Sequence, residues 1–219
     1  MIRLACRTAW SAALVCVLMT IGGGCAPIGY VAQIFDGNKI PAMYELPDRA
    51  TAVLIDDPTS ALPDSSIQNL LGGRIGQELT EHEAIADLTA PRLIDELRHN
   101  HGDFNEWPID KIGMRAGADQ VVYVLIERFN LSDEQRTYRP VYSMRVKVVD
   151  AASGRRLFPA GDAGGYRVAS ELFFKQELSG GTDSTRRVVA RRLAEHAAVD
   201  VAKLFYEHAE REPGSGFDD

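Results

Sequence analysis

The sequence predicts an α/β (α+β) fold: a single domain in which helices cover a mixed sheet of about five strands and the last helix is long. Two segments lead to this expectation. Residues 121–126 are consecutively apolar, which is typical of a strand buried on both faces in the middle of a sheet. Residues 141–150 alternate between apolar and polar side chains, which indicates a strand with one solvated face. Apolar residues recur at helical spacing before and after these strands, and they predict the helices that cover the sheet.

The composition agrees with a globular protein and narrows the classes of function. The chain has 219 residues, of which 45% are hydrophobic and 25% charged, so it can form a real core. Its net charge is −7, whereas a nucleic-acid-binding surface needs a basic excess. The cysteines Cys6, Cys16 and Cys25 all precede residue 26, so the remainder can form neither a disulfide nor a thiolate metal site. We therefore expect no cofactor, no metal and no nucleic-acid partner.

The first 24 residues predict a signal peptide of the lipoprotein type. Arg3 and Arg7 precede an uncharged, largely apolar run over 9–21, which is shorter than the roughly 20 residues that a membrane-spanning helix needs. Three glycines then lead to Cys25. This arrangement resembles the bacterial lipoprotein signal, in which a peptidase cleaves before the cysteine and lipid is attached to it. The alternative is an ordinary signal peptide that is cleaved nearby.

The lipoprotein resemblance implies a domain organisation and a location. It implies that Cys25 is the lipidated first residue of the mature protein, carrying acyl chains such as palmitate. Ala26 is not the Asp that retains lipoproteins in the inner membrane of enteric bacteria, so we expect an outer-membrane anchor with the domain in the periplasm. Prolines and glycines predict a tether over 25–47, an α/β domain over 48–210 and a disordered tail over 211–219.

The first half of the domain predicts alternating strands and helices. A strand over 50–57 ends at Pro58, and Ser65 with Gln68 matches a capping box before a helix over 67–79. That helix contains Gly72, Gly73 and Gly76, which indicate close packing against a neighbour. A short strand over 84–89, a helix opened by Pro91, a polar loop over 99–106 and a short helix over 108–116 follow.

The second half predicts antiparallel strands and one long helix. The turn after Asp150 places Gly154 at a left-handed position, and a second turn covers 161–165. Strands over 156–158 and 166–174 flank that second turn. Thr182 or Asp183 caps a final helix that runs to about residue 208.

This order of elements resembles the periplasmic α/β module of the CsgG-like curli-secretion lipoproteins, the TolB amino-terminal domain and the LpoB-type lipoproteins. The resemblance is carried by the strand 53–56, the helix 67–79 with the strand 84–88 after it, the Gly117-Ala118-Asp119 that enters the core strand, and the 146–150 strand with Ser153-Gly154 after it. It implies a module that binds and assembles, with no catalytic residue to carry over. The protein is therefore expected not to be an enzyme.

Several polar groups are candidates for chemistry, and each has a plainer interpretation. His99 and His101 have a spacing that could serve a metal, but a solvated loop is favoured. Asp56 and Asp57 could form a carboxylate pair, but acids at strand ends commonly form turns. Trp107 is expected to plug a core and not to act as an aromatic platform.

The strongest candidate for a binding surface is the start of the last helix. The helix dipole disfavours cations in this position, yet four arginines crowd it, namely Arg186, Arg187, Arg191 and Arg192. One interpretation is a solvated face with Arg191 paired to Glu195. The other is a surface that docks an acidic partner, a phosphate-rich lipid or peptidoglycan carboxylates.

These observations favour a non-enzymatic lipoprotein, anchored to the membrane through Cys25, that acts as an adaptor or assembly factor for an envelope protein. The alternative is a subunit of an oligomeric export complex of the CsgG type. That alternative needs membrane-spanning strands, whereas the solvated face of 141–150 carries Arg145 and Lys147, which do not suit lipid. A hydrolase is less favoured still, because no nucleophile is found with its base. The oligomeric state stays open.

Overall fold

The computed structural model describes residues 39–131, 140–172 and 183–210. The chain divides into two compact units between Lys39 and Ile40, and the second unit contains every described residue except Lys39. The elements in chain order are β1 Lys39–Ile40, β2 Thr51–Asp56, α1 Ser65–Glu81, α2 Pro91–Asn100, a 3₁₀ turn Phe104–Glu106, α3 Ile109–Arg115, β3 Gln120–Asn130, β4 Val141–Asp150, β5 Arg156–Phe158, β6 Tyr166–Glu171, α4 Asp183–Ala202 and β7 His208–Ala209.

The main sheet has five strands in the order β2-β3-β4-β5, with β6 also paired to β4. The pairing of β2 with β3 is parallel, and the pairings of β4 with β3, β5 and β6 are antiparallel. The sheet is therefore mixed, and β3 lies in its interior between β2 and β4. The predicted α+β fold with a mixed five-stranded sheet and a long last helix is confirmed.

The two faces of β3 are covered unequally. Val122, Val124 and Ile126 are at most 1% exposed, as the apolar run over 121–126 predicts. Tyr123 and Leu125, which we expected to be buried on the opposite face, are only partly buried. That expectation is wrong because the helices on that face cover the start of β3 and leave the sheet beyond it open to solvent.

Helices pack on both faces of the sheet and form two apolar clusters. The larger cluster joins one face of β2, β3 and β4 to α1 and α4 and includes Leu71, Ile75, Leu193 and Ala197. The smaller cluster lies on the opposite face, where α2 and α3 contribute Ile94 and Ile112 against Leu54 and Val121. Burial of this apolar area is the main stabilising contribution to the fold.

A bulge in β3 explains why the strand is longer than predicted. Its register with β4 shifts between Ile126 and Arg128, so Glu127 is an extra residue. Before the bulge the even-numbered residues face the core, and after it the odd-numbered ones do. Phe129 therefore faces the core and is 7% exposed. The consecutive apolar run stops at this point, which is why the sequence pattern indicated a strand ending at residue 126.

Four local expectations are corrected by the structure. Asp64, and not the Ser65–Gln68 capping box, caps α1, because its carboxylate accepts hydrogen bonds from the N–H groups of Ser66 and Ile67. Residues 84–89 form only an isolated bridge of Leu88 to Thr51, because the segment meets β2 at a single residue. Helix α4 ends at Ala202 and not near residue 208. Residues 99–106 are largely ordered as the end of α2 and a 3₁₀ turn, and Phe104 in that turn is buried.

The glycines in α1 mark close contacts at two of three positions. A Cβ at Gly72 would lie 3.2 Å from Cγ1 of Ile55, and one at Gly76 would lie 2.7 Å from Cδ2 of Leu88. A Cβ at Gly73 would meet nothing within 4 Å. Gly154 has the predicted left-handed conformation, with a φ of 67°.

Candidate functional site

Helices α1 and α4 lie side by side and run in the same direction. At one end, Asp64 before α1 and Asp183 at the start of α4 line a common groove. At the other end, Glu78 of α1 contacts Tyr206, four residues beyond the end of α4. The apolar stripes of both helices face the sheet, so their polar residues and starting turns border solvent together.

The groove between the two helix starts has a volume of about 950 Å³ and is called the arginine groove here. Its apolar side chains are Pro63, Ile67, Leu70, Leu131, Val188 and Ala190. Its charged side chains are Asp64, Asp183, Arg186, Arg187 and Arg191. A surface that combines apolar area with guanidinium groups can take a ligand that is both acidic and partly apolar.

The structure brings three of the four predicted arginines together. Arg186, Arg187 and Arg191 line the groove, whereas Arg192 is not among its described lining residues. Arg191 pairs with Glu195 at 3.2 Å, as predicted, but both side chains are largely exposed. Such an exposed pair within one helix contributes at most about 0.5 kcal/mol, so Arg191 can exchange this partner for a ligand. Within the described ranges, Arg186 and Arg187 form no ion pair.

One acidic group of the groove, Asp64, has a structural role. The carboxylate of Asp64 accepts hydrogen bonds from the hydroxyl of Ser66 and from the first N–H groups of α1. The Ser66 hydrogen bond, the Ile67 N–H and, to a smaller extent, the charge of Arg187 hold the pKa of Asp64 below its ordinary value. The ionised carboxylate of Asp64 is therefore occupied in capping α1, and the arginines remain available to a ligand.

The first residues of the second unit are bound at the opposite end of α4. The N–H groups of Met43 and Tyr44 donate hydrogen bonds of 2.8 and 3.1 Å to the carbonyl oxygen of Leu204. The ring of Tyr44 lies 5.5 Å from that of Phe158, which in turn lies 6.0 Å from that of Phe205. Residues 43 and 44, at the end of the predicted tether, are therefore attached to the domain. Backbone contacts of this kind leave no signal in the sequence.

A second concavity, about 1020 Å³ in volume, lies at the carboxyl end of β2 and is called the aromatic cleft here. It is bordered by Asp56, Phe104, Trp107 and Tyr123. The phenol of Tyr123 donates a 2.5 Å hydrogen bond to Asp56. Burial raises the pKa of Tyr123, and the hydrogen bond to Asp56 adds to the effect. The sequence did not indicate this pair, because its members lie on neighbouring strands.

Two of the other candidates, Asp57 and Trp107, have structural roles. Both carboxylate oxygens of Asp57 accept backbone hydrogen bonds, from Ala61 and Leu62, so the interpretation as a turn residue is confirmed. Trp107 packs against the smaller apolar cluster, and its Nε1–H donates to Asp103. His99 is exposed near the end of α2, and His101 follows that helix. Across residues 39–131, 140–172 and 183–210, no group of three His, Cys, Asp or Glu side chains could hold a metal ion.

Several predictions concern parts of the chain outside the described residues. These are the signal peptide, Cys25 with its lipid, the first part of the 25–47 tether and the tail 211–219. They stay predictions. Of the helices in the described ranges, none has the length and apolar character needed to cross a bilayer.

No protein-family model matches the sequence, and no curated protein matches it. Among solved structures, the PelC dodecamer from Paraburkholderia phytofirmans has 13% identity and a TM-score of 0.39 over 80% of this chain and 97% of that chain. Lipoprotein GNA1162 from Neisseria meningitidis has 14% identity and a TM-score of 0.40 over 68% of this chain and 96% of that one. XCC0632 from Xanthomonas campestris has 9% identity and a TM-score of 0.42 over 77% and 86%. Likenesses at this level say nothing about what this chain does.

Proposed function

We propose that this protein is a lipoprotein of the bacterial cell envelope that acts as a non-enzymatic adaptor or assembly factor. It is anchored in the outer membrane by lipid on Cys25, and its α+β domain faces the periplasm. The arginine-rich start of α4, where Arg186, Arg187 and Arg191 line the arginine groove, is the surface that docks an acidic envelope partner.

The observation that carries this proposal is the order of features in the leader. A short basic start, an apolar run too short to span a bilayer and a row of small residues lead to a single cysteine at residue 25. An apolar run with these flanks is the form in which a chain is exported. The cysteine at its end is the group to which acyl chains attach, and each buried CH₂ stabilises the anchor by about 0.8 kcal/mol.

The absence of catalysis is supported by how the concave surfaces use their polar groups. Asp57 and Asp64 hold backbone N–H groups, and Arg98 donates to the carbonyl oxygen of Ile55. Groups that stabilise loops, helix ends and strand edges in this way are not poised for proton transfer or nucleophilic attack. An adaptor needs only a stable surface and a fixed location, and this arrangement supplies the surface.

The anchor is tested by replacing Cys25 with Ser in the full chain and supplying labelled palmitate to the host bacterium. The wild-type protein should carry label and sediment with outer membranes. The Cys25→Ser protein should be unlabelled and should leave the membrane fraction. The matched control is Cys16→Ser, which removes a cysteine from the leader and should keep both the label and the location.

Two results would reject the anchor. One is label that persists in the Cys25→Ser protein, since the acyl chains would then be attached elsewhere. The other is a wild-type protein that carries no label and is recovered from the soluble periplasmic fraction, which would favour an ordinary signal peptide.

A further inference from the structure

The position of the arginine groove relative to the start of the domain bears on which partner it can reach, and this step rests on the proposed anchor. Met43 and Tyr44 are bound to Leu204, two residues beyond the end of α4. Arg186 lies in the first turn of that helix. Because α4 is continuous from Asp183 to Ala202, the groove and the attachment point lie at its opposite ends.

The separation follows from helix geometry. Arg186 and Ala202 are sixteen positions apart, which at 1.5 Å per residue corresponds to about 24 Å along the axis. Ile40 follows Cys25 by fifteen positions, so their separation cannot exceed about 50 Å. An anchor at Cys25 therefore acts on the end of α4 that is opposite the groove.

The chemistry of the groove selects among anionic partners. Val188 is 47% exposed in the middle of the arginines, and Leu70 is partly buried beside it. The phosphate of a lipid headgroup can pair with the guanidinium groups, but a headgroup has no apolar surface to cover Val188 and Leu70. A polypeptide with acidic and apolar side chains satisfies both, because carboxylates pair with Arg in bidentate geometry while apolar side chains cover the floor.

We infer that the arginine groove is the membrane-distal docking site of this protein and that its occupant is an acidic, partly apolar segment of a protein partner. The headgroups of the anchoring bilayer are not its ligand. Arg186, Arg187 and Arg191 make the contact, and Arg192 does not take part, because it lies outside the groove lining.

Binding is tested with a defined probe on the full chain. The probe is a fluorescein-labelled peptide of about ten residues with alternating Glu and Leu, and its control has Gln in place of Glu. By fluorescence anisotropy, the Glu peptide should bind about tenfold or more tightly than the Gln peptide. Its affinity should fall as the salt concentration rises from about 50 to about 300 mM.

Matched variants separate the groove from general electrostatics. The triple variant Arg186→Gln, Arg187→Gln and Arg191→Gln should weaken binding of the Glu peptide by about tenfold or more. The single variant Arg192→Gln should leave it within about twofold. The control for net charge is Arg92→Gln, Arg115→Gln and Arg155→Gln, which removes three exposed arginines outside the groove and should have little effect. Equal losses in the two triple variants would overturn the site, since binding would then follow net charge.

The distal position is tested separately with single fluorophores. Met43→Cys and Val188→Cys replace exposed residues at opposite ends of α4, which are 52% and 47% exposed. Each labelled lipoprotein is reconstituted in phosphatidylethanolamine vesicles with about one quarter phosphatidylglycerol and a spin-labelled headgroup. The fluorophore at residue 43 should be quenched more strongly than the one at residue 188. Equal quenching, or quenching at residue 188 that depends on phosphatidylglycerol and is lost in the arginine triple variant, would identify the bilayer as the ligand instead.

The two proposals fail in distinguishable ways. The peptide experiment is repeated with the full-length Cys25→Ser chain, which needs no membrane. If that protein binds the Glu peptide but the wild type is never lipidated, the groove stands and the anchor fails. If the wild type is lipidated and neither peptide binds, the anchor stands and the groove is a solvated helix face.

Discussion

The phenol of Tyr206 donates a 3.2 Å hydrogen bond to the carboxylate of Glu78, joining residues 128 positions apart. Glu78 is only 5% exposed, and it also accepts a hydrogen bond from Arg74. The ring of His82 stacks on that of Tyr206 with centroids 3.9 Å apart. This cluster connects the last turns of α1 to the segment after α4. It therefore stabilises the end of the domain at which Met43 and Tyr44 bind Leu204.

Replacing Tyr206 with Phe should lower the free energy of unfolding by about 1–2 kcal/mol, because the buried Glu78 carboxylate loses one of its donors. The ring and its packing are kept, so the loss reports the hydroxyl. The control is Tyr166→Phe, since Tyr166 also packs against the larger cluster but its hydroxyl makes no hydrogen bond to a described residue. Urea unfolding of both variants measures the difference. Similar losses in the two would show that the Glu78 contact contributes nothing.

The protein should lose stability at high pH. Burial raises the pKa of Tyr206, with the Glu78 charge adding to it, and burial raises the pKa of Tyr123, with the Asp56 hydrogen bond adding to it. Unfolded tyrosine ionises near pH 10. Above that pH the folded state therefore binds more protons than the unfolded state, and the free energy of unfolding falls as the pH rises.

This pH dependence is measured by urea unfolding between about pH 8 and pH 11. The double variant Tyr123→Phe and Tyr206→Phe should be less stable at neutral pH but should show a flatter decline above pH 10. A decline as steep as that of the wild type would assign the alkaline loss to other groups.

Truncating Val124 to Ala should cost about 1–3 kcal/mol, from lost burial and the cavity left behind. Val124 is fully buried between β2 and β4, where its neighbours cannot close the space without moving the sheet. The same substitution at Val188, which is 47% exposed on α4, should change stability by no more than about 0.5 kcal/mol. Chemical denaturation of the pair measures the contrast, and a small effect at Val124 would mean that β3 is not a core strand.

Two glycine-to-alanine changes in helices should have opposite signs. A Cβ at Gly113 would lie 2.5 Å from Cγ2 of Val121 and 3.0 Å from the Cβ of Ala151, so α3 must move off the sheet at a cost of about 1–3 kcal/mol. A Cβ at Gly73 would meet nothing within 4 Å. The Gly73→Ala variant should therefore have a free energy of unfolding higher by up to about 1 kcal/mol, because Ala has the higher helix propensity. Thermal unfolding midpoints should move down for the first and up for the second. Stabilisation by both changes would show that α3 packs less closely against β3 than the structure indicates.

Local patterns determined the parts of this fold whose signals repeat along the chain. The alternation in β4 placed Tyr142, Met144 and Val146 on one face, because a strand has a period of two and only one of its faces meets the core. The run of apolar residues in β3 indicated its central position, because a strand with apolar residues on both faces is typical of the interior of a sheet. The spacing of Ile67, Leu70, Leu71, Ile75 and Leu79 indicated the inward face of α1, since residues three and four apart share one side of a helix. All of these are buried except Leu70, which is partly buried. The prediction of a leader that ends at Cys25 likewise depends on local composition and not on a folded partner.

Tertiary structure alone decided which residues meet across the chain. It extended β3 through a bulge at Glu127, because the partner strand could absorb one extra residue there. It moved the cap of α1 to Asp64, because the first N–H groups of the helix point to that carboxylate. It gathered Arg186, Arg187 and Arg191 around Leu131 and Ile67 and left Arg192 outside, because the crossing of α1 and α4 selects one side of the α4 start. It also attached Met43 to Leu204 through backbone atoms that every residue carries. Contacts between distant segments depend on the packing of whole elements, and no single segment encodes them.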